Sequence, residues 1–505
     1  MKINQIKSGI ILSYILMALN TLFGLVVTPF IIKNVGNGDY GVYKAITALT
    51  SSIMVLDLGL GNTIQRYVAK YRSEKTEEKI SGFFGMMICQ SFILCGLILC
   101  VSVFFFFFIN NLYGKTFTDE QIFLAKQVFI ISGINILLHV VSNVFHGLIT
   151  GFNKFFFGNG LSVLRLLLRI SLGIVVIRLS HNILYFVILD LLLTIVFIIV
   201  EIIFVRFKLG IHIVFERWNK QVFLESGKYS VLMFLTSVAS QIMSNLDNVV
   251  IGSISGPDFV TIYSIGLLIF NMFSNISTAI SGVMLPKVTE ILHSDNSEDR
   301  IINLLVRVGR FQFLLLSACI VGFVFLGKDF LMLWMGSGFE DVYLITLILI
   351  VPSIFEYCLN VALSILRARN LLGFRTIVLT ASCVLNLIVT IVLVKYWSYI
   401  GAAVGTAVSY CFCSLICMNI YYHKKLKLPL FKIYINILKG IWICLFVSGL
   451  ALFVYSRFFY GSIISFVFGI LLFCVVYGSC LILFGLNEEE KRKIPFIGVL
   501  FKSKE

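Results

Sequence analysis

The stretch NVGNGDYGVY (residues 34–43) is echoed at SISGPDFVTIY (residues 253–263), and the distance between them decides how the rest of the chain is read. Asp39 and Asp258 stand 219 positions apart, and Tyr43 and Tyr263 stand 220 apart. A second likeness, LITGFNKFFFG (148–158) and LRARNLLGF (366–374), sets Asn153 and Asn370 at 217. Each stretch occupies a short break between two apolar runs. Apolar helices align with one another by chance, but chance does not hold the offset nearly constant, so the pattern argues for an internal duplication.

Working outward in windows of about 20 residues, apolar segments lie near 8–32, 43–68, 81–109, 121–150, 157–178, 182–205, 226–251, 259–286, 301–327, 342–366, 376–395, 400–421, 434–456 and 461–484. The expected fold is an all-α polytopic membrane protein of about 14 transmembrane helices. The run from Ser8 to Ile32 follows Lys2 and Lys7, yet it is longer than a signal peptide and lacks a small-residue cleavage site, so it reads as a retained span. Six spans separate the repeats, an even number, so both copies share one orientation and an axis along the membrane normal. The expected layout is an N-lobe over 1–205 (spans 1–6), a cytoplasmic linker over 206–225, a C-lobe over 226–421 (spans 7–12), two further helices within 434–484, and a cytoplasmic tail over 485–505.

Composition supports this placement and narrows the function. The chain is 59% hydrophobic and only 13% charged, more apolar than a water-soluble surface allows. The segments 1–7, 70–80, 151–156, 206–228, 287–310, 367–375, 422–439 and 485–505 carry 29 of the 40 Lys and Arg residues. The opposite set holds eight: Lys33, Lys44, Lys115, Lys126, Arg178, Lys328, Lys395 and Arg457. Basic short loops face the cytoplasm, which places both termini there and the chain, multi-pass, in the cytoplasmic (inner) membrane. The net charge of +15 then reflects loops facing anionic membrane lipids and not nucleic acid. Outer loops of about 14 residues or fewer leave no room for a soluble catalytic domain. There is no P-loop, no metal-ligand cluster and no nucleophile with its base; even CFCSLIC (411–417) has no histidine or carboxylate at ligand spacing. A transporter without cofactor, and not an enzyme, is expected.

The stretch GNGDYGVYKAITALTSSIMVLDLGLGNTIQRYVAKYRSE (36–74) resembles the second-helix signature of Wzx-type polysaccharide flippases, in the MATE-like multidrug and oligosaccharidyl-lipid exporter superfamily. LDNVVIGSISGPDFVTIYSIG (246–266) is similar to its second-lobe counterpart, and the resemblance runs over roughly 8–420. It implies two six-helix lobes that alternate between inward-open and outward-open states, and a polyprenyl-pyrophosphate-linked glycan as cargo.

That cargo bears on LSVLRLLLRISLG (161–173), where Arg165 and Arg169 lie one helical turn apart, with Gly158, Ser162 and Gly173 on the same stripe. At 1.5 Å per residue from the cytoplasmic edge near Phe157, they are about 12 and 18 Å deep, too deep for the second to reach either surface easily. Both are expected to face a wet cavity, where guanidinium grips pyrophosphate by paired hydrogen bonds. The competing reading has each arginine pairing with Asp57 or Asp190 and pinning helices. Asn386, 217 positions past Arg169, leaves the positive charge to the first lobe. Arg66, near the inner end of span two, is a third substrate candidate or an interfacial anchor.

Buried acids carry protons or sodium ions, so Asp57, Glu356 and Asp190 are ion-coupling candidates, with H+ or Na+ as the ion. Asp247 and Glu201 lie near helix ends and read as interfacial, while His139 and His146 are candidate proton relays or hydrogen-bonded bundle residues. Two rivals remain. A MATE-type drug or cation antiporter would want a carboxylate in the first span, and none lies between Lys7 and Lys33. A sugar polymerase or ligase would want a large outer loop; as a separate protein, a polysaccharide polymerase is a candidate partner.

Overall fold

Helices form wherever the apolar runs are long enough to satisfy their own backbone, and they break where glycine, proline or a polar residue interrupts them. In the computed structural model the described residues are 5–57, 59–74, 76, 78–214, 241, 245–282, 284–292, 297–369, 371–459, 461–487 and 490–491. Asn370, most of the linker at 206–225, most of span seven and the tail beyond 491 lie outside them. Among the described residues, 12 helical runs are long and apolar enough to cross a membrane. The fold is all-α and polytopic.

The helices are α1 (Gln5–Val35), α2 (Asn37–Met54), α3 (Leu60–Ser73), α4 (Glu78–Tyr113), α5 (Asp119–Gly151), α6 (Phe155–Ser180), α7 (Ile183–Ile203), α8 (245–254) and α9 (Pro257–Gly282). They continue with α10 (Leu285–Leu292), α11 (Ser297–Met335), α12 (Asp341–Cys358), α13 (Val361–Ala368), α14 (Leu372–Tyr410), α15 (Met418–Leu426), α16 (Leu430–Leu438), α17 (Ile441–Phe458) and α18 (Ile463–Cys480).

The expected spans map onto these, except that spans two, ten and thirteen are each broken into two helices and spans eleven and twelve are continuous. Span two is broken into α2 and α3 by a 3₁₀ turn at Val55–Asp57 and by Gly59 in the left-handed region (φ 65°). Spans eleven and twelve run on as one stretch, Leu372–Leu426, that folds back at Ser398 (φ 49°, ψ −136°). A Cβ on Gly401 would sit 2.3 Å from the Leu393 carbonyl, and the Ser382 hydroxyl reaches the Ser409 carbonyl at 3.4 Å, as antiparallel arms require. Counting that stretch as two spans, with span seven largely outside the described residues, accounts for the difference between 12 and 14.

By contacts the chain divides into two compact units. One is Met1–Ser264 with Cys383–Ala402, and the other is Ile265–Ser382 with Ala403–Glu505. In the first, the echoed loops meet. Gly36 and Gly256 hold φ of 96° and 112° just before α2 and α9, a conformation open to glycine and little else. Thr261 donates to the Asn37 carbonyl at 2.7 Å, and a Cβ on Gly41 would overlap the Pro257 carbonyl. In the second unit, Arg310 on α11 is 1% exposed and donates to the carbonyls of Asn436, Ile437, Lys439 and Gly485 and to Glu490. One side chain thus caps the end of α16 and holds the turn after α18 to α11.

Candidate functional site

α6 and α7 form a hairpin because the chain cannot continue past Ser180. His181 takes the left-handed cap conformation (φ 51°), and the Asn182 side chain accepts from Leu184 N at 2.8 Å to start α7. The hairpin register then puts Gly173 against the Phe186 ring, Arg169 against Asp190 and Arg165 against Thr194. Each contact is one turn further from the bend than the one before, so Gly173 and both arginines share the stripe that faces α7.

Arg169 meets Asp190 in a fork: Nε to Oδ1 at 2.6 Å and Nη2 to Oδ2 at 2.7 Å. Phe23 on α1 and Phe186 on α7 present their rings to the guanidinium at 4.9 and 5.3 Å. The pair is not sealed: the Arg169 side chain is 29% exposed and that of Asp190 16%. Arg165 donates to Thr194 Oγ1 at 2.6 Å, while the Thr194 hydroxyl lies 2.6 Å from Asn135 Oδ1. Its Nη2 also sits 3.1 Å from His139 Nε2. Guanidinium has only N–H donors, so that ring nitrogen must be the lone-pair acceptor; while the contact stands, His139 holds no relayed proton there.

The helix pairing expected as the alternative is therefore formed by Arg169 and Asp190, whereas Arg165 pairs with neutral partners. Asp57 pairs with neither arginine. Its Oδ2 accepts from Asn143 at 3.1 Å, and its Oδ1 is enclosed without a hydrogen-bond partner. The glycines beside it do two things: Gly59 breaks the helix, and Gly61 meets Gly147 of α5 so closely that a Cβ on Gly147 would lie 2.5 Å from the Gly61 carbonyl. Gly158 is packed as well, with the His146 ring 3.1 Å from its Cβ position. Arg66 is exposed on α3.

Two acids depart from the interfacial reading. Glu201 is 6% exposed; Ser142 donates to it at 2.7 Å, and His146 Nδ1 lies 3.4 Å away. Asp247 is 2% exposed, with the Tyr263 hydroxyl donating at 2.5 Å and Thr390 at 3.3 Å. Proximity to a helix end fixes depth but not facing, and both face the bundle. One signal for Asp247 was present: Tyr263 is a repeat anchor, and Thr390 stands one turn past Asn386. A polar row on α5 (Asn135, His139, Ser142, Asn143 and His146) runs at helical spacing, each side chain engaging a partner on the 3₁₀ turn at Val55–Asp57, on α6 or on α7.

In the second unit, Glu356 lines a cavity with Asn360, Arg375, Ser414, Asn419 and Tyr422. It sits near the end of α12, where the helix breaks before α13.

The fold is that of known exporters. The chain is similar to the structure titled lipid II flippase MurJ, inward closed conformation, with a TM-score of 0.68 and 19% identity over 93% of this chain and 97% of that one. It is also similar to an inward-facing multidrug resistance MATE family transporter of the MOP superfamily (TM-score 0.63, 13% identity, 80% and 96% covered). A MOP superfamily transporter from Pyrococcus furiosus matches at TM-score 0.56 and 15% identity, with 83% and 96% covered. No curated protein sequence matches. These likenesses fit the expected resemblance to Wzx-type flippases. The model described as polysaccharide biosynthesis protein matches residues 6–292, and this multi-pass membrane chain belongs to that family.

Proposed function

We propose that the protein flips a polyprenyl-pyrophosphate-linked oligosaccharide from the inner to the outer leaflet of the cytoplasmic membrane by alternating access between an N-lobe (1–205) and a C-lobe (226–421), with both termini cytoplasmic. The observation that carries this reading is Arg169, largely buried but still 29% exposed, one turn from Arg165 on a helix built mostly of leucine, isoleucine and valine. An arginine at that depth costs about 2.5–3.5 kcal/mol on insertion scales, and a fork-shaped donor set suits pyrophosphate as well as it suits Asp190. Arg165 and Arg169 bind the headgroup, and Arg66 meets it as it enters. The family match supports a polysaccharide precursor over a drug, and the first span offers no carboxylate for a cationic cargo.

Direction follows from charge. Two negative charges moved outward across about 100 mV, inside negative, gain up to roughly 4.6 kcal/mol. A coupling ion adds to this, with H+ or Na+ taken by Asp57, Glu356 or Asp190. In liposomes holding a fluorescent prenyl-pyrophosphate sugar, Arg169→Ala and Arg165→Ala are expected to abolish flipping while the protein still elutes as folded. Flipping at the unsubstituted rate in both variants would remove the arginines from the site.

A further inference from the structure

The basic segment 422–439 folds into an elbow of two short helices, α15 and α16, and the chain leaves α15 through Lys427 in the left-handed region (φ 54°). One face of α16 is fastened down. Ile433 and Ile437 are buried, Ile437 lies 2.7 Å from the Cβ position of Gly309 on α11, and Arg310 holds the carbonyls at the helix end. The Tyr434 hydroxyl accepts from Asn419 on α15 at 3.2 Å and lies 3.4 Å from the Phe355 carbonyl. At about 100° per residue, Phe431 and Ile435 fall on the face opposite Ile433 and Ile437, and they are 81% and 49% exposed. The helix thus has two apolar stripes, one packed and one bare. It is not the first turn of the next span, because Lys439 (ψ 121°) and Gly440 (φ 81°) separate it from α17.

The bare stripe lies in a field of one sign. Lys432 follows Phe431 on α16, and Lys424, Lys425 and Lys427 stand on the elbow before it, all exposed. Among the described residues none of the four has a carboxylate within ion-pairing distance. The sequence holds no Asp or Glu between Glu356 and Glu488, so neither helix carries an acid, nor do the spans on either side of them. Lysines beside an exposed apolar stripe, on a helix too short to span a bilayer, are the marks of a helix lying in the headgroup layer. A soluble anion would match the lysines and leave Phe431 and Ile435 bare; an uncharged lipid would do the reverse. We propose that the α15–α16 elbow is a binding site for a phospholipid of net negative charge, its phosphodiester on Lys424, Lys425, Lys427 and Lys432 and its acyl chains along Phe431 and Ile435. A zwitterionic headgroup brings its own ammonium among the lysines and fits less well. The assignment narrows the general attraction of basic loops for anionic lipid to one surface, and it concerns a lipid that stays with the protein, apart from the proposed cargo.

The test is native mass spectrometry of the detergent-purified full chain with an equimolar mixture of phosphatidylglycerol, phosphatidylethanolamine and phosphatidylcholine at matched acyl length. The expected result is a phosphatidylglycerol adduct retained at least about fivefold over the other two. The triple variant Lys424→Gln, Lys425→Gln, Lys427→Gln should cut that adduct by about tenfold or more. A control triple, Lys154→Gln, Arg206→Gln, Lys208→Gln, makes the same change in net charge on other exposed basic segments and should leave the adduct in place. Phe431→Ala with Ile435→Ala should weaken the adduct without changing the order of headgroups. Equal retention of the three lipids overturns the proposal, and so does an equal loss in the two triple variants, which would reduce the effect to net charge. Displacement by soluble glycerol 3-phosphate at equal concentration also overturns it, in favour of a site for free phosphate. Should the first triple variant fail to fold, Lys427→Gly, which suits φ 54° and removes one charge, should weaken the adduct in the same direction, and an unchanged adduct there would count against the elbow.

Discussion

Replacing Asp190 separates a brace from a binding site. The Arg169–Asp190 fork has two charge-assisted bonds of 2.6 and 2.7 Å, at 29% and 16% side-chain exposure. Exposed ion pairs contribute up to about 1 kcal/mol, and breaking a buried one costs about 3–5 kcal/mol. A pair this far buried falls between, so a coupling energy of about 2–3 kcal/mol is expected from a double-mutant cycle of Arg169→Ala, Asp190→Ala and the double variant, measured by denaturant unfolding in detergent. A coupling below about 0.5 kcal/mol would refute the energetic reading of the fork. Binding of geranyl pyrophosphate supplies the second readout. If the guanidinium grips pyrophosphate, Asp190→Asn frees it, and affinity holds or rises while Arg169→Ala abolishes binding. If the fork is only a brace, both variants lose binding in proportion to stability, and removing both partners restores it; that outcome would end the headgroup assignment.

Three further substitutions and one control test the fold. Gly41→Ala puts a Cβ 1.9 Å from the Pro257 carbonyl, backbone that cannot step aside, so folded yield should collapse by size-exclusion chromatography, whereas Gly96→Ala, with nothing within 4 Å, should leave it unchanged. Arg310→Lys keeps the charge but loses the fork that serves four carbonyls and Glu490, and thermal unfolding should register a loss of about 3–5 kcal/mol. Ser398→Gly relieves a residue held at φ 49°, ψ −136°, and should raise unfolding free energy by about 1 kcal/mol; a decrease would show that the Ser398 side chain is needed where it is.

Most of the transmembrane layout was legible because burying apolar length in lipid leaves a strong compositional trace. The breaks were harder. Gly59 and Ser398 sit in runs whose average character is apolar, and averaging hides a single left-handed residue. Within the site, depth was legible and facing was not: a residue count gives the first, but the second depends on helix rotation set by neighbours. Glu201 and Asp247 were misread for that reason. The pairing of Arg169 with Asp190 was open to a finer reading. The bend at Ser180–Asn182 fixes the register of the α6–α7 hairpin, and the two residues lie at matching distances from it, as do Arg165 and Thr194. What no spacing revealed is Glu356 beside Arg375 in a cavity, since those residues come from separate helices with no short bend between them.

A carrier that binds an anion must also make its return journey empty, and a bare arginine pair in a low-dielectric path would make that leg costly. The fork answers this on the proposed reading, because Asp190 stands in for the phosphate when the cargo is absent. When pyrophosphate takes Arg169, Asp190 needs another positive partner, and Arg165, one turn away and within electrostatic reach of Asp190, is placed to receive it. Arg165 then acts on affinity through Asp190 as well as through the cargo. Arg165→Ala should weaken geranyl pyrophosphate binding in the presence of Asp190 and weaken it much less in an Asp190→Asn background, where no carboxylate remains to be rehoused. An equal loss in both backgrounds would mean that Arg165 acts on the phosphate alone, and the exchange of partners would be wrong.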